Sequence, residues 1–199
     1  CMASVGYAFL NGTAMTSDGQ SPFKPVATLD AVISGLGGAA MQLFAHGIVV
    51  SALFFLAGML YRRTRTFDLR AFGGFAKRIS HYYGLMLVAG FAALGLPGLI
   101  GFWGQFFVFK SAMGLIPAFA FIGVLGVIFS AGYTLWKVVQ HIFLGTFDEV
   151  RWENLQDLTA WEKITVWPLV IMIVVFGLYP TQLLDMFDMA LKALLEQVR

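Results

Sequence analysis

Charge is scarce in this chain. Asp, Glu, Lys and Arg make up 12% of its 199 residues, about half the quarter usual in soluble domains. A soluble fold needs those side chains to cover its surface, so the deficit excludes an ordinary soluble domain. Cysteine is nearly absent: Cys1 stands alone, which excludes an internal disulfide framework and a Cys-based metal site. The net charge is only +2, so there is no basic excess for a nucleic-acid partner. Strand-like alternation is missing, which argues against a β-barrel. No dinucleotide-binding glycine loop, Walker motif, zincin helix or nucleophile elbow appears. The chain opens CMASVGYAFLNG, without the basic region of a secretory leader, and reads as a fragment cut inside a helix.

What is abundant is apolar. Hydrophobic residues are 59% of the chain, with 20 Phe and 22 Gly, and the mean hydropathy is +0.79. Phe suits a lipid-facing surface, and Gly lets helices approach closely in a membrane. Ala31 to Tyr61 runs for 31 positions without Asp, Glu, Lys or Arg, yet holds His46 at its middle. About 20 helical residues cross a bilayer core. An ionisable group inside such a run faces a polar cavity or a partner and marks a proton or ion route.

These patterns predict an all-α, polytopic transmembrane helix bundle. A partial helix over 1–10 precedes a polar loop. Spans follow over 30–61, 81–95, 96–114, 117–145 and 164–187, with an amphipathic tail over 188–199. Asp30 is placed as an N-terminal cap of the first full span. The last span is expected to bend at Pro180. Pro97, with Gly95, Gly98, Gly101 and Gly104 around it, predicts an interrupted helix. Arg62 to Ser80 carries six Lys and Arg against one Asp, and positive charge concentrates on the cytoplasmic side. Counting three spans onward puts the mainly acidic 147–163 loop on the opposite side.

Five residues are candidates for moving a proton. His46 lies one turn after Gln42 on the same helix face, and histidine both accepts and releases protons near neutral pH. Gln105 sits just past the break, where exposed backbone survives in a membrane only inside protein or beside water. Lys110, five residues on, is either an intramembrane carrier or a side chain reaching the interface. Lys137 and His141 continue a stripe from Ser130 and Tyr133 at helical spacing. That stripe is either a proton exit or the polar end of a helix.

The stretches MQLFAHGIVVSALFFLAGMLYRRTRTFDLRAFGGFAKR, LGLPGLIGFWGQFFVFKSA and the late GLYP resemble the C-terminal half of the antiporter-like subunits of respiratory complex I. The likeness runs over about residues 1 to 185 and is nearest to the subunit M (chain 4) type. It implies a membrane-arm subunit of a proton-pumping NADH:quinone oxidoreductase, in a bacterial plasma membrane. Other membrane-arm and peripheral subunits and the lipid bilayer would be its partners. Flavin and iron–sulfur clusters would sit in those partners, quinone would be reached only through the complex, and this chain would hold no cofactor and no nucleic acid. The resemblance puts the position of His46 on a central hydrophilic axis. The position of Gln105 ordinarily carries Glu or Lys in this family, and Gln cannot titrate there. A subunit of a multisubunit cation/proton antiporter without redox activity shares the fold and stays open, as does a scaffold role.

Overall fold

The computed structural model describes residues 25–115, 117–149, 151–153 and 155–197. Among them every regular element is a helix. The expected partial helix over 1–10 and most of the loop after it lie outside the described residues.

Helix α1, Pro25–Thr64, has 40 residues and is about 60 Å long at 1.5 Å per residue. Pro25 is suited to the first helical position, where no amide is needed. The helix therefore starts before Asp30, which lies inside it rather than at its first residue. It stops at Arg65, whose φ of 54° is left-handed and whose N–H bonds the Tyr61 carbonyl at 2.8 Å.

Helices α2 (Ser80–Ala93) and α3 (Ile100–Leu115) flank the LPG break. The break occupies 94–99, while Gly101 and Gly104 belong to α3. Gly95 ends α2 with φ 75°. Its N–H reaches the Ala92 carbonyl, and the Leu96 N–H reaches that of Phe91 at 3.0 Å. This is a Schellman stop, which returns orphan carbonyls to the backbone. Leu96-Pro97-Gly98-Leu99 then forms a type II turn: the Leu99 N–H bonds the Leu96 carbonyl at 3.1 Å, and Gly98 supplies the φ of 93° required at the third position.

The two halves share one path along α1. The Tyr82 hydroxyl, at the start of α2, donates to the Leu56 carbonyl at 3.0 Å. In α3, a Cβ added at Gly104 would lie 2.8 Å from the Gln42 Cα, and one at Gly38 would lie 2.7 Å from the Phe107 Cβ. As the chain advances from 82 to 107, its contact on α1 retreats from 56 to 38, so α2 and α3 follow one another antiparallel to α1. Each is shorter than the roughly 30 Å hydrocarbon core at 1.5 Å per residue. The spans expected over 81–95 and 96–114 are the two halves of this discontinuous path. A Pro-Gly break reads from sequence as either a loop between spans or an interruption within one, and the register on α1 decides.

Helix α4, Pro117–Thr134, continues as a nine-residue π-helix, Leu135–Phe143, closed by the Leu144 N–H on the Val139 carbonyl at 3.2 Å. It ends beside α2, with the Phe143 ring 4.9 Å from that of Tyr83. Helix α5, Ala160–Leu178, is followed after Pro180 by α6, Thr181–Gln197. The expected bend is a break, and α6 runs through residue 188 to Gln197, so the tail is not a separate element. Among the described residues three stretches are long and apolar enough to cross a bilayer: Ile33–Thr64, Ala120–Phe143 and Ala160–Leu178.

The connector after α1 and the loop before α5 meet at one end of the bundle. Arg63 forks onto Glu162 at 3.0 and 2.5 Å and also donates to the carbonyls of Gln156 and Asp157. Arg78 donates to the carbonyls of Leu155 and Glu153. The Trp152 indole N–H donates to the Ala71 carbonyl at 3.2 Å, and Phe75, fully buried, packs its ring against Trp152. Gly73 and Gly74 let the 145–147 backbone pass in contact. The expectation of opposite sides is thus overturned. It counted three passages between these loops, but the chain runs the length of the bundle twice, by the discontinuous path and by α4 with its π segment, so it returns to the end it left.

Candidate functional site

The break is where polar groups enter an apolar bundle. Gly95 has no side chain, and the Gln105 carboxamide fills the space: its Oε1 falls 2.0 Å from where a Gly95 Cβ would be. Gln105 is half-buried. From the other side, Gln42 of α1 presses on Gly104, with its Oε1 2.6 Å from a Cβ added there. That Oε1 is buried and has no hydrogen-bond partner among the described residues. A buried acceptor in this state costs about 1–3 kcal/mol until something donates to it.

The end of α5 covers the break. A Cβ at Gly177 would come within 2.4 Å of the Gly98 carbonyl and the Leu99 Cα. The Trp103 indole N–H donates to the Gly177 carbonyl at 2.7 Å, and the Phe176 ring meets that of Phe44 edge-on at 5.8 Å. The irregular backbone is therefore covered on its Gly98–Leu99 side, where both residues are half-buried, while Leu96 and Pro97 are exposed; irregular backbone persists at membrane depth where protein or water covers it.

The five sequence candidates do not form one cluster. His46 lies one helical turn from Gln42 but is exposed and makes no hydrogen bond among the described residues. Lys110 is exposed on α3, beyond the Phe107 and Val108 contact with Gly38. Lys137 and His141 are exposed on the π segment, with the Lys137 ammonium 5.5 Å from the Trp136 ring centroid. Because the π segment ends beside Tyr82 and Tyr83, Lys137 and His141 lie toward the connector end. Lys110 lies on the other side of the break. Of the polar stripe, Ser130 lines a cleft of about 280 Å³ between α2 and α4, with Thr134 beside it and walls including Gly90, Leu94 and Phe143. Tyr133, Lys137 and His141 do not line it.

A second polar assembly escaped the sequence reading. Asp157 accepts from the backbone N–H groups of His81, Tyr82 and Leu158 and meets the His81 Nδ1 at 2.9 Å. Partial burial pushes its carboxyl up, but the His81, Leu158 and Tyr82 bonds outweigh this and hold it below its ordinary value. The only local signal was Thr159-x-x-Glu162, the spacing of a capping box, in which Glu162 Oε2 accepts from the Thr159 N–H at 2.9 Å. That spacing announces a helix start and says nothing of Arg63.

Residues 26–130 match the family model described as NADH:quinone oxidoreductase/Mrp antiporter, TM. The chain is 33% identical over 162 residues to "NADH-quinone oxidoreductase subunit M" of Rickettsia conorii, covering 81% of this chain and 33% of the relative. It is 32% identical over 155 residues to "F(420)H(2) dehydrogenase subunit M" of Methanosarcina mazei, covering 78% of this chain and 31% of the relative. Its fold is similar to a chain of "Respiratory complex I from Thermus thermophilus with bound NADH", with a TM-score of 0.67 and 28% identity over 94% of this chain and 42% of that one. The chain thus spans about a third of the length of the curated relatives it matches.

Proposed function

The chain belongs to the NADH:quinone oxidoreductase/Mrp antiporter transmembrane family, and on that footing we propose that it is part of a membrane-arm subunit of a respiratory NADH:quinone oxidoreductase. The parent protein would couple electron transfer in neighbouring subunits to proton movement across a bacterial plasma membrane. Flavin, iron–sulfur clusters and the quinone site would belong to those neighbours. The relatives' names carry two electron donors, NADH and F(420)H(2), on subunits of one kind, which fits a chain that touches neither.

The observation that carries the reading is the break, where two carboxamides, Gln42 and Gln105, meet an irregular backbone in an apolar bundle. Gln105 holds no titratable proton. Its amide both donates and accepts, so it passes a proton only by ordering water between its neighbours. The open acceptor on Gln42 is suited to hold one end of such a chain, and His46, one turn along α1, is the nearest titratable side chain on that helix face. Lys110 on one side of the break, and Lys137 with His141 on the other, would exchange protons at the two ends; all three are exposed.

The test is proton pumping per electron in membranes carrying the full parent protein. His46→Ala should lower that ratio while the complex still assembles, because it removes the titratable group from that helix face. Unchanged pumping would remove His46 from the route. Gln105→Glu should raise pumping if the neutral side chain throttles the path. No change would assign the proton exchange to the lysines alone. The antiporter reading is favoured only by the breadth of the family description. Purification without redox subunits, and with sodium/proton exchange, would select it.

A further inference from the structure

At the connector end, α1 and α5 part around a groove of about 560 Å³, within the size of ordinary small-molecule sites. Phe54, Gly58 and Arg62, at four-residue spacing, line it from α1, and Trp161 and Thr165 line it from α5. Its length is apolar. Its end near the loops holds two charged side chains, Arg62 and Glu162. Glu162 is already neutralised by the Arg63 fork. Arg62 is exposed and makes no ion pair among the described residues. Among the described residues the groove, which is broad and open, thus offers one exposed, unpaired cation beside an aromatic-walled face, at the level where the apolar run of α1 gives way to arginines. Trp161, 80% exposed, stands where indoles settle between headgroups and acyl chains.

We propose that this groove binds an anionic glycerophospholipid, its phosphate on the Arg62 guanidinium and an acyl chain along Phe54, Phe55 and Gly58. An amphiphile with an anionic head and a long apolar tail matches both ends, and basic sites between transmembrane helices favour anionic headgroups. With Glu162 neutralised, no carboxylate is left to draw a choline headgroup. A Cβ added at Gly58 would have nothing within 4 Å, so a larger side chain at that position fills the groove without disturbing the helix.

The experiment uses the full parent protein in its complex, purified in mild detergent and partly delipidated. Brominated phosphatidylglycerol and brominated phosphatidylcholine are titrated while tryptophan fluorescence is read. Phosphatidylglycerol should quench a component that Trp161→Phe removes. Arg62→Gln should weaken its binding about fivefold, as expected for one basic contact near the surface, and Arg62→Lys should retain most of it. Gly58→Leu should abolish the quenching with the complex intact. Equal affinity for the two lipids, or unaltered binding in Gly58→Leu, overturns the proposal. So does a Gly58→Cys variant that crosslinks to a polypeptide, which would give the groove a protein occupant. If Arg62→Gln fails to assemble, Arg62→Lys and Gly58→Leu still decide.

Discussion

Single atoms govern how closely α1 and α3 approach. Gly104 leaves room for the Gln42 backbone, and any Cβ there would come within 2.8 Å of the Gln42 N and Cα. Backbone cannot swing aside as a side chain can, so the helices must separate. Gly104→Ala should therefore destabilise the bundle by about 1–3 kcal/mol, the usual range for overpacking, read as loss of intact complex on heating in detergent. Gly47 lies within α1, and a Cβ there has nothing within 4 Å. Gly47→Ala should stay near neutral, which separates packing from helix propensity. Sequence reading found the glycines around the break but not their partners, because Gly38 and Gln42 are over sixty residues away and carry no mark of the pairing. Asp157 gives a different signature. Its carboxyl is held below its ordinary value of 3.8. It therefore binds protons more weakly folded than unfolded, and the stability it contributes is present above its unfolded value and lost as pH falls through the folded one. Asp157→Asn should flatten the acid limb of a stability–pH curve, below about pH 4, while leaving the neutral-to-alkaline limb unchanged in shape.

Among the elements, the break was the most legible. Leu96-Pro97-Gly98 announces a stop and a turn because proline denies an amide and glycine permits positive φ. Both marks are local, so the sequence carries them. Gly98→Ala should cost about 1–3 kcal/mol through a disfavoured φ of 93°, whereas Pro97→Ala, which keeps the turn's hydrogen bond, should cost less. Thermal melts of the purified complex would rank the two, and an equal loss would contradict the turn assignment. The helix ends were less legible. Pro25 and Asp30 both suit a helix start, and the residue types alone do not choose between them. The π segment left no trace either: Leu135–Phe143 has an apolar pattern that suits an α-helix equally well, and its extra residue per turn is a property of the backbone.

For the whole molecule, the informative error was one of parity. The apolar stretches were all visible, and the bundle class followed from composition. Whether two half-length helices make one crossing or two depends on contacts with α1, which only the folded chain has. Arg70 on the connector and Glu153 on the loop before α5 are both exposed, and both should face the same compartment. Single Arg70→Cys and Glu153→Cys variants in the full parent protein should react with a membrane-impermeant maleimide from the same side. Labelling from opposite sides would restore three crossings. The same geometry limits what was legible at the candidate site. His46 and Gln105 stood out because an ionisable or amide group in an apolar run is rare, whereas the Arg63–Glu162 fork joins two ordinary surface residue types 99 positions apart.

Helix α1 touches α2, α3, α5 and α6, and at about 60 Å it outreaches the hydrocarbon core. In mechanical terms it is a shared axle. A push along it at the connector end, delivered through Arg63, would arrive at Gln42 as an axial shift of the same size, because a helix transmits compression through its hydrogen-bond ladder with little shortening. The two halves at the break are joined by a turn rather than by a ladder, so they are the joint at which such a shift would be taken up.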